Sequence, residues 1–71
     1  MEELEIENRV KLARIEKGLT QEQFAVLVGV TRQTIILLEA GKYNPTLKLC
    51  MMMKKVTGKS LDELFWIKGE R

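Results

Sequence analysis

TQEQFAVLVGVTRQTIILLEAGKYNP, Thr20 to Pro45, predicts two short helices joined by a tight turn. Thr20 is placed to cap the first helix, and Gln23 three residues on completes a capping box. On a helical wheel Phe24, Ala25, Leu27 and Val28 share one face. Gly29 ends that helix, because a left-handed residue at a helix C-terminus carries no steric penalty when it is glycine. Thr31 then caps a second helix through its hydroxyl. Ile35 and Leu38 point to one side of it and can dock on the first helix, whereas Gln33, Ile36, Leu37 and Ala40 point to the other. Neither helix is long enough to be stable alone, so each has to pack on the other and on the flanking chain.

The spacing carries the fold. Ala25 lets a second helix approach closely, Gly29 makes the bend four residues later, and apolar residues at 24, 28, 30, 35 and 38 hold two helices at a steep angle. With these residues in place, LTQEQFAVLVGVTRQTIILLEAGKYNP resembles the core motif of the Cro and phage-repressor type of helix-turn-helix regulators almost from end to end. The resemblance extends over roughly residues 8 to 65. It implies an all-α, five-helix, lambda-repressor-like DNA-binding domain occupying residues 1–71 as one unit, with the helix-turn-helix at about 20–40.

The bounds of the chain agree with one small domain. Seventy-one residues bury a limited core, so pairing with a second copy would add stability. A hydrophobic fraction of 45% is ordinary for a folded domain. No apolar run approaches the length that spans a bilayer, and the start of the chain is acidic rather than signal-like, which points to the cytoplasm. Cys50 is the single cysteine and cannot form an internal disulfide. The chain has no histidine, which removes the commonest general base and metal ligand. With no glycine-rich phosphate loop or carboxylate cluster either, nothing supports an enzyme, a metal site, a cofactor or a small-molecule ligand.

The net charge of +2 conceals an asymmetry. Glu2, Glu3, Glu5 and Glu7 crowd the first eight residues, while from Arg9 onward there are 12 basic and 6 acidic residues. A basic body suits a polyanion; the alternative is a solvated surface. Residues 2 to 7, EELEIE, alternate apolar and charged, the period of a half-buried strand, with Leu4 and Ile6 facing inward. FWIKG at the other end is short, aromatic and β-branched, so residues 3–7 and 65–69 can pair as an antiparallel ribbon. The alternative is a longer first helix with the glutamates favourable at its N-terminus.

Helix one is expected from about Asn8 to Lys17, stopped by Gly18, with Val10, Ala13 and Leu12 supplying its inner face. In the family this chain resembles, an arginine at the position of Arg14 pairs with a glutamate at the position of Glu39. The same resemblance gives Gln21 a contact to a backbone phosphate, where the helix N-terminus also favours an anion. Recognition is expected at the start of the second helix of the motif, which such proteins place in the major groove. There Thr31, Arg32, Gln33 and Thr34 stand ready: arginine can grip a guanine edge with two hydrogen bonds, and glutamine can do so for adenine. Lys42, Tyr43 and Asn44 in the loop that follows offer further phosphate contacts. A polar solvent face is the plain alternative for all of these.

Ile36 and Leu37 depart from the family pattern, in which these outward positions are polar or small. They can meet thymine methyl groups, make a protein contact, or be a neutral local choice. After Asn44-Pro45, Thr46 caps helix four, LKLCMMMKKVT, which Gly58 terminates. That helix is apolar nearly all round, with Lys48 and Lys55 as its wet face, so part of it can meet a second subunit. Met51, Met52 and Met53 are expected as adaptable packing rather than a ligand or metal surface, and Cys50 as a buried structural thiol rather than a redox sensor. Thr57 and Lys59 stand where larger apolar residues are expected. Ser60 and Glu63 form a second capping box and open helix five, SLDELF. Leu61, Leu64, Phe65 and Trp66 concentrate bulk for the core or a subunit interface.

The resulting expectation is a transcriptional regulator that binds an inverted-repeat operator in double-stranded DNA as a homodimer, repressing by occupancy. The other class is a protein-interaction or antitoxin-like module on the same fold.

Overall fold

The computed structural model describes residues 4–70. Its elements follow in the order β1 (Ile6–Asn8), α1 (Val10–Glu16), α2 (Gln21–Val28), α3 (Arg32–Glu39), α4 (Leu47–Thr57), α5 (Leu61–Leu64) and β2 (Phe65–Ile67). Four of the five helices begin on a hydroxyl cap. Thr20, Thr31, Thr46 and Ser60 are extended residues whose side chains accept the N–H three positions on, and Thr20–Gln23 and Ser60–Glu63 are complete capping boxes. Gly29 (φ 81°) and Gly58 (φ 72°) end α2 and α4 in the left-handed conformation.

One apolar cluster joins all five helices: Val10 and Ala13 from α1, Phe24, Ala25 and Val28 from α2, Ile35 and Leu38 from α3, Leu49 and Met53 from α4, and Leu64 from α5. Leu27 does not join it. It lies roughly a third of a turn from the centre of the 24–25–28 stripe, and it is exposed. Leu12 is likewise exposed, because α1 packs along Val10, Ala13 and Arg14 instead. Helix α1 starts two residues later than the periodicity suggests, since Asn8 belongs to β1 and caps α1 with its side chain: the Val10 N–H donates to Asn8 Oδ1 at 3.1 Å.

The terminal ribbon forms, with a narrower span than expected. Ile6 stands opposite Ile67, Glu7 opposite Trp66 and Asn8 opposite Phe65, antiparallel. The Lys68 N–H adds a bond to the Glu5 carbonyl at 2.8 Å, and Lys68 Nζ lies 3.1 Å from the Glu5 carboxylate. Residue 3, expected to start the ribbon, lies outside the described residues, as does Glu2. Leu4 and Ile6 are exposed rather than inward, because no second layer covers a two-stranded ribbon on that side. Phe65 leaves helix five for the strand, with φ −137° and ψ 144°.

Helix α4 buries Leu49, Met53 and Thr57, four residues apart, and half-buries Cys50, Met52 and Val56. Leu47 is 70% exposed and Met51 43%. Thr57 is tolerated where a larger apolar group was expected, because its hydroxyl is satisfied. It donates to the Met53 carbonyl at 2.7 Å and accepts the Lys59 N–H at 3.2 Å. Lys59 is half-buried, its ammonium 3.1 Å from Glu16.

Candidate nucleic-acid interface

The bend between α2 and α3 needs three residues, Gly29, Val30 and Thr31. Gly29 takes the positive φ, the Val30 N–H donates to the Ala25 carbonyl at 2.9 Å, and Thr31 caps α3. Burial of Ile35 and Leu38 fixes the rotation of α3, so its first turn projects from the fold. Thr31, Arg32 and Gln33 are exposed there. Thr34 is half-buried and its hydroxyl is tied to that of Thr31 at 3.1 Å, so the two threonines share their polar capacity at the cap. Arg32 and Gln33 are therefore the polar side chains that the tip can extend farthest.

Ile36 and Leu37 were expected to face water. Both are half-buried, so the two aliphatic groups do not form a fully open patch. Beyond α3 the chain turns back on the helix: the Gly41 N–H donates to the Leu38 carbonyl at 3.0 Å and the Lys42 N–H to the Leu37 carbonyl at 2.9 Å. This turn leaves Lys42, Tyr43 and Asn44 exposed after the C-terminal end of α3.

Arg14 locks the far end of α3. Its Nε donates to Glu39 Oε2 at 2.7 Å and its Nη2 to Glu39 Oε1 at 3.2 Å, while Nη1 donates to the Leu19 carbonyl at 2.9 Å. The side chains are 10% and 5% exposed, so this is a two-pronged, desolvated pair rather than a surface contact. Gln21 shares the same carboxylate: its Nε2 donates to Glu39 Oε1 at 3.2 Å. No described buried side-chain nitrogen or oxygen lacks a partner.

Two contributors escaped the sequence. Asn8, besides capping α1, donates its Nδ2 to the Leu38 carbonyl at 3.0 Å and so fastens the ribbon to the last turn of α3. An asparagine two residues ahead of a helical run signals the cap, but nothing local signals the second reach. The Arg9 guanidinium lies 5.2 Å from the centre of the Trp66 ring, a cation–π contact between the entry to α1 and β2.

Among the described residues no group of His, Cys, Asp or Glu is arranged to hold a metal ion, and no helix is long and apolar enough to cross a membrane. A family model described as "Helix-turn-helix" matches residues 10–64. The chain is similar to an uncharacterized HTH-type transcriptional regulator of Archaeoglobus fulgidus, 44% identical over 57 residues covering 80% of this chain and 81% of that one. A counterpart in Methanocaldococcus jannaschii is 43% identical over 60 residues, 84% and 91% of the two chains. One in Bacillus subtilis is 37% identical over 65 residues, 92% and 98%.

Proposed function

The chain belongs to the Cro and phage-repressor type of helix-turn-helix family, DNA-binding regulators of transcription rather than enzymes, and from that premise we propose that it is a cytoplasmic repressor that occupies an inverted-repeat operator as a homodimer. The observation that carries this reading is the exposed Arg32 and Gln33 in the first turn of α3, a helix whose far end is tied down by the Arg14–Glu39 pair. Arg32 and Gln33 read base edges, Thr31 and Thr34 border them, and Ile36 and Leu37 lie against thymine methyls deeper along the helix. Lys42, Tyr43 and Asn44 grip phosphates after α3, and Gln21 does so before it. The whole of residues 1–71 acts as this single domain.

A groove lined by Pro45, Leu47, Cys50, Leu61 and Phe65 supports the second copy. Leu47, in its lining, and Met51, one turn further along α4, are large apolar groups left open. A two-fold contact there makes one patch self-complementary. The two recognition helices then enter successive major grooves about 34–36 Å apart. With Ile36 and Leu37 half-buried, the rival reading of a protein-holding module loses the open apolar surface it drew on.

Selection of bound duplexes from a random DNA pool tests the proposal. The expected product is a two-fold symmetric site with thymine beside the arginine-read base, bound by two chains per duplex. Recovery of no enriched sequence, or binding by single chains to a half-site without symmetry, overturns it. A Leu37→Ser chain that selects an unchanged site removes Leu37 from the base contacts.

A further inference from the structure

We infer that Glu39 is a positioning residue for DNA binding, setting the Gln21 side chain for its phosphate before DNA arrives; this rests on the phosphate role proposed for Gln21. The Glu39 carboxylate receives three donors, Arg14 Nε at 2.7 Å, Arg14 Nη2 at 3.2 Å and Gln21 Nε2 at 3.2 Å. It is 95% buried by neighbouring groups, its side chain being 5% exposed, so it is itself immobile. Gln21 is half-buried, and its Nε2 donates to this carboxylate.

Two consequences follow from the chemistry of the amide. A carboxylate only accepts hydrogen bonds, so the amide has to present its nitrogen, not its oxygen, to Glu39. The flip of Gln21 is thereby decided: one N–H of its nitrogen is held by Glu39, and the second N–H on that nitrogen is the donor left for a phosphate oxygen. An unrestrained glutamine has three side-chain torsions and two amide orientations to lose on binding. Here that ordering is completed in the free protein by a carboxylate that is itself fixed by Arg14. The ion pair at the back of α3 thus reaches the DNA surface through one hydrogen bond.

The test replaces single phosphates of a pool-selected duplex by uncharged methylphosphonates. With the wild-type chain, replacing any gripped phosphate is expected to weaken binding about tenfold, the size expected for one charge-assisted hydrogen bond, and the position that falls silent in Gln21→Ala is the one Gln21 holds. Gln21→Ala is expected to bind about tenfold more weakly and to be indifferent to that position. Glu39→Ala, compared at a temperature where Trp66 fluorescence reports it folded, is expected to be indifferent too. A Glu39→Ala chain that keeps the full sensitivity overturns the positioning role and leaves DNA binding standing. A wild-type chain that binds no duplex overturns instead the reading on which it rests. Because Glu39→Ala also breaks the buried ion pair and so destabilises the fold, the wild-type chain supplies a second readout. NMR relaxation of the Gln21 side-chain amide without DNA is expected to approach backbone rigidity. A Gln21 amide as mobile as that of the exposed Gln33 overturns the inference.

Discussion

The Asn8 side-chain amide donates to the Leu38 backbone carbonyl at 3.0 Å, across 30 residues of sequence, while its oxygen accepts the Val10 N–H at 3.1 Å. One side chain therefore serves the start of α1 and the end of α3. Asn8→Ala removes both bonds, and the expected loss is about 1–3 kcal/mol of stability, read from the midpoint of urea denaturation. Asn8→Asp keeps an acceptor for Val10 but offers the Leu38 carbonyl only another oxygen, so it recovers part of the loss. Equal stability of Asn8→Ala and wild type would show that neither bond matters.

Glu39→Gln leaves the Arg14 guanidinium buried without its counter-charge. The expected cost is about 3–5 kcal/mol, much of the stability of a domain this small. Thermal melting followed by circular dichroism checks it. An unchanged melting temperature is incompatible with the burial of this pair.

Arg32 at the start of α3 and Lys42 after its end are both exposed cations, and their substitutions separate the two kinds of contact. Arg32→Ala is expected to relax the preference at one base by about 1–3 kcal/mol. Lys42→Ala is expected to weaken binding to all sequences alike and to lower the slope of log affinity against log salt by about one. Titrations at several salt concentrations, on the selected duplex and on a scrambled one, distinguish these outcomes.

Leu47→Glu places a charge on the open face of α4, where Leu47 contributes little to the core. The expected result is an unchanged melting curve at low concentration and a shift from dimer to monomer in sedimentation, with weaker operator binding. A variant that sediments as the wild type does would move the subunit contact elsewhere.

Cys50 is half-buried, and removal from water pushes its thiol up from the ordinary 9.0. The thiolate is the reactive form, so alkylation by iodoacetamide at neutral pH is expected to be slower than for an exposed cysteine and to accelerate on unfolding. As pH rises toward and past the ordinary value, the rate in the folded chain should lag that in the unfolded chain. Equal rates in both states would mean that the thiol is open to solvent.

The features legible in the sequence are those closed within one turn of chain. Thr20, Thr31, Thr46 and Ser60 cap the nearest N–H groups, and Gly29 and Gly58 end their helices, so type and spacing suffice to place them. Less legible were positions set by how helices meet. Leu27 and Leu12 have the hydrophobicity of core residues, but the stripe that packs passes beside them. The bond from Gln21 to Glu39 depends on the crossing of α2 and α3, to which residue identity gives no angle. The ribbon was visible as two β-prone ends, whereas its register shifts toward Asn8 because that residue is already held by α1 and α3.

The pairing of Ile6 with Ile67 joins positions about sixty residues apart. Before it forms, the intervening chain is an open loop, and closing such a loop carries an entropy penalty that only prior compaction reduces. The helices, whose contacts lie closer in sequence, are thus expected to assemble ahead of it. The ribbon then acts as a late clasp, and because Asn8 sits in it, the final orientation of α3 becomes fixed only when the two ends of the described chain have met.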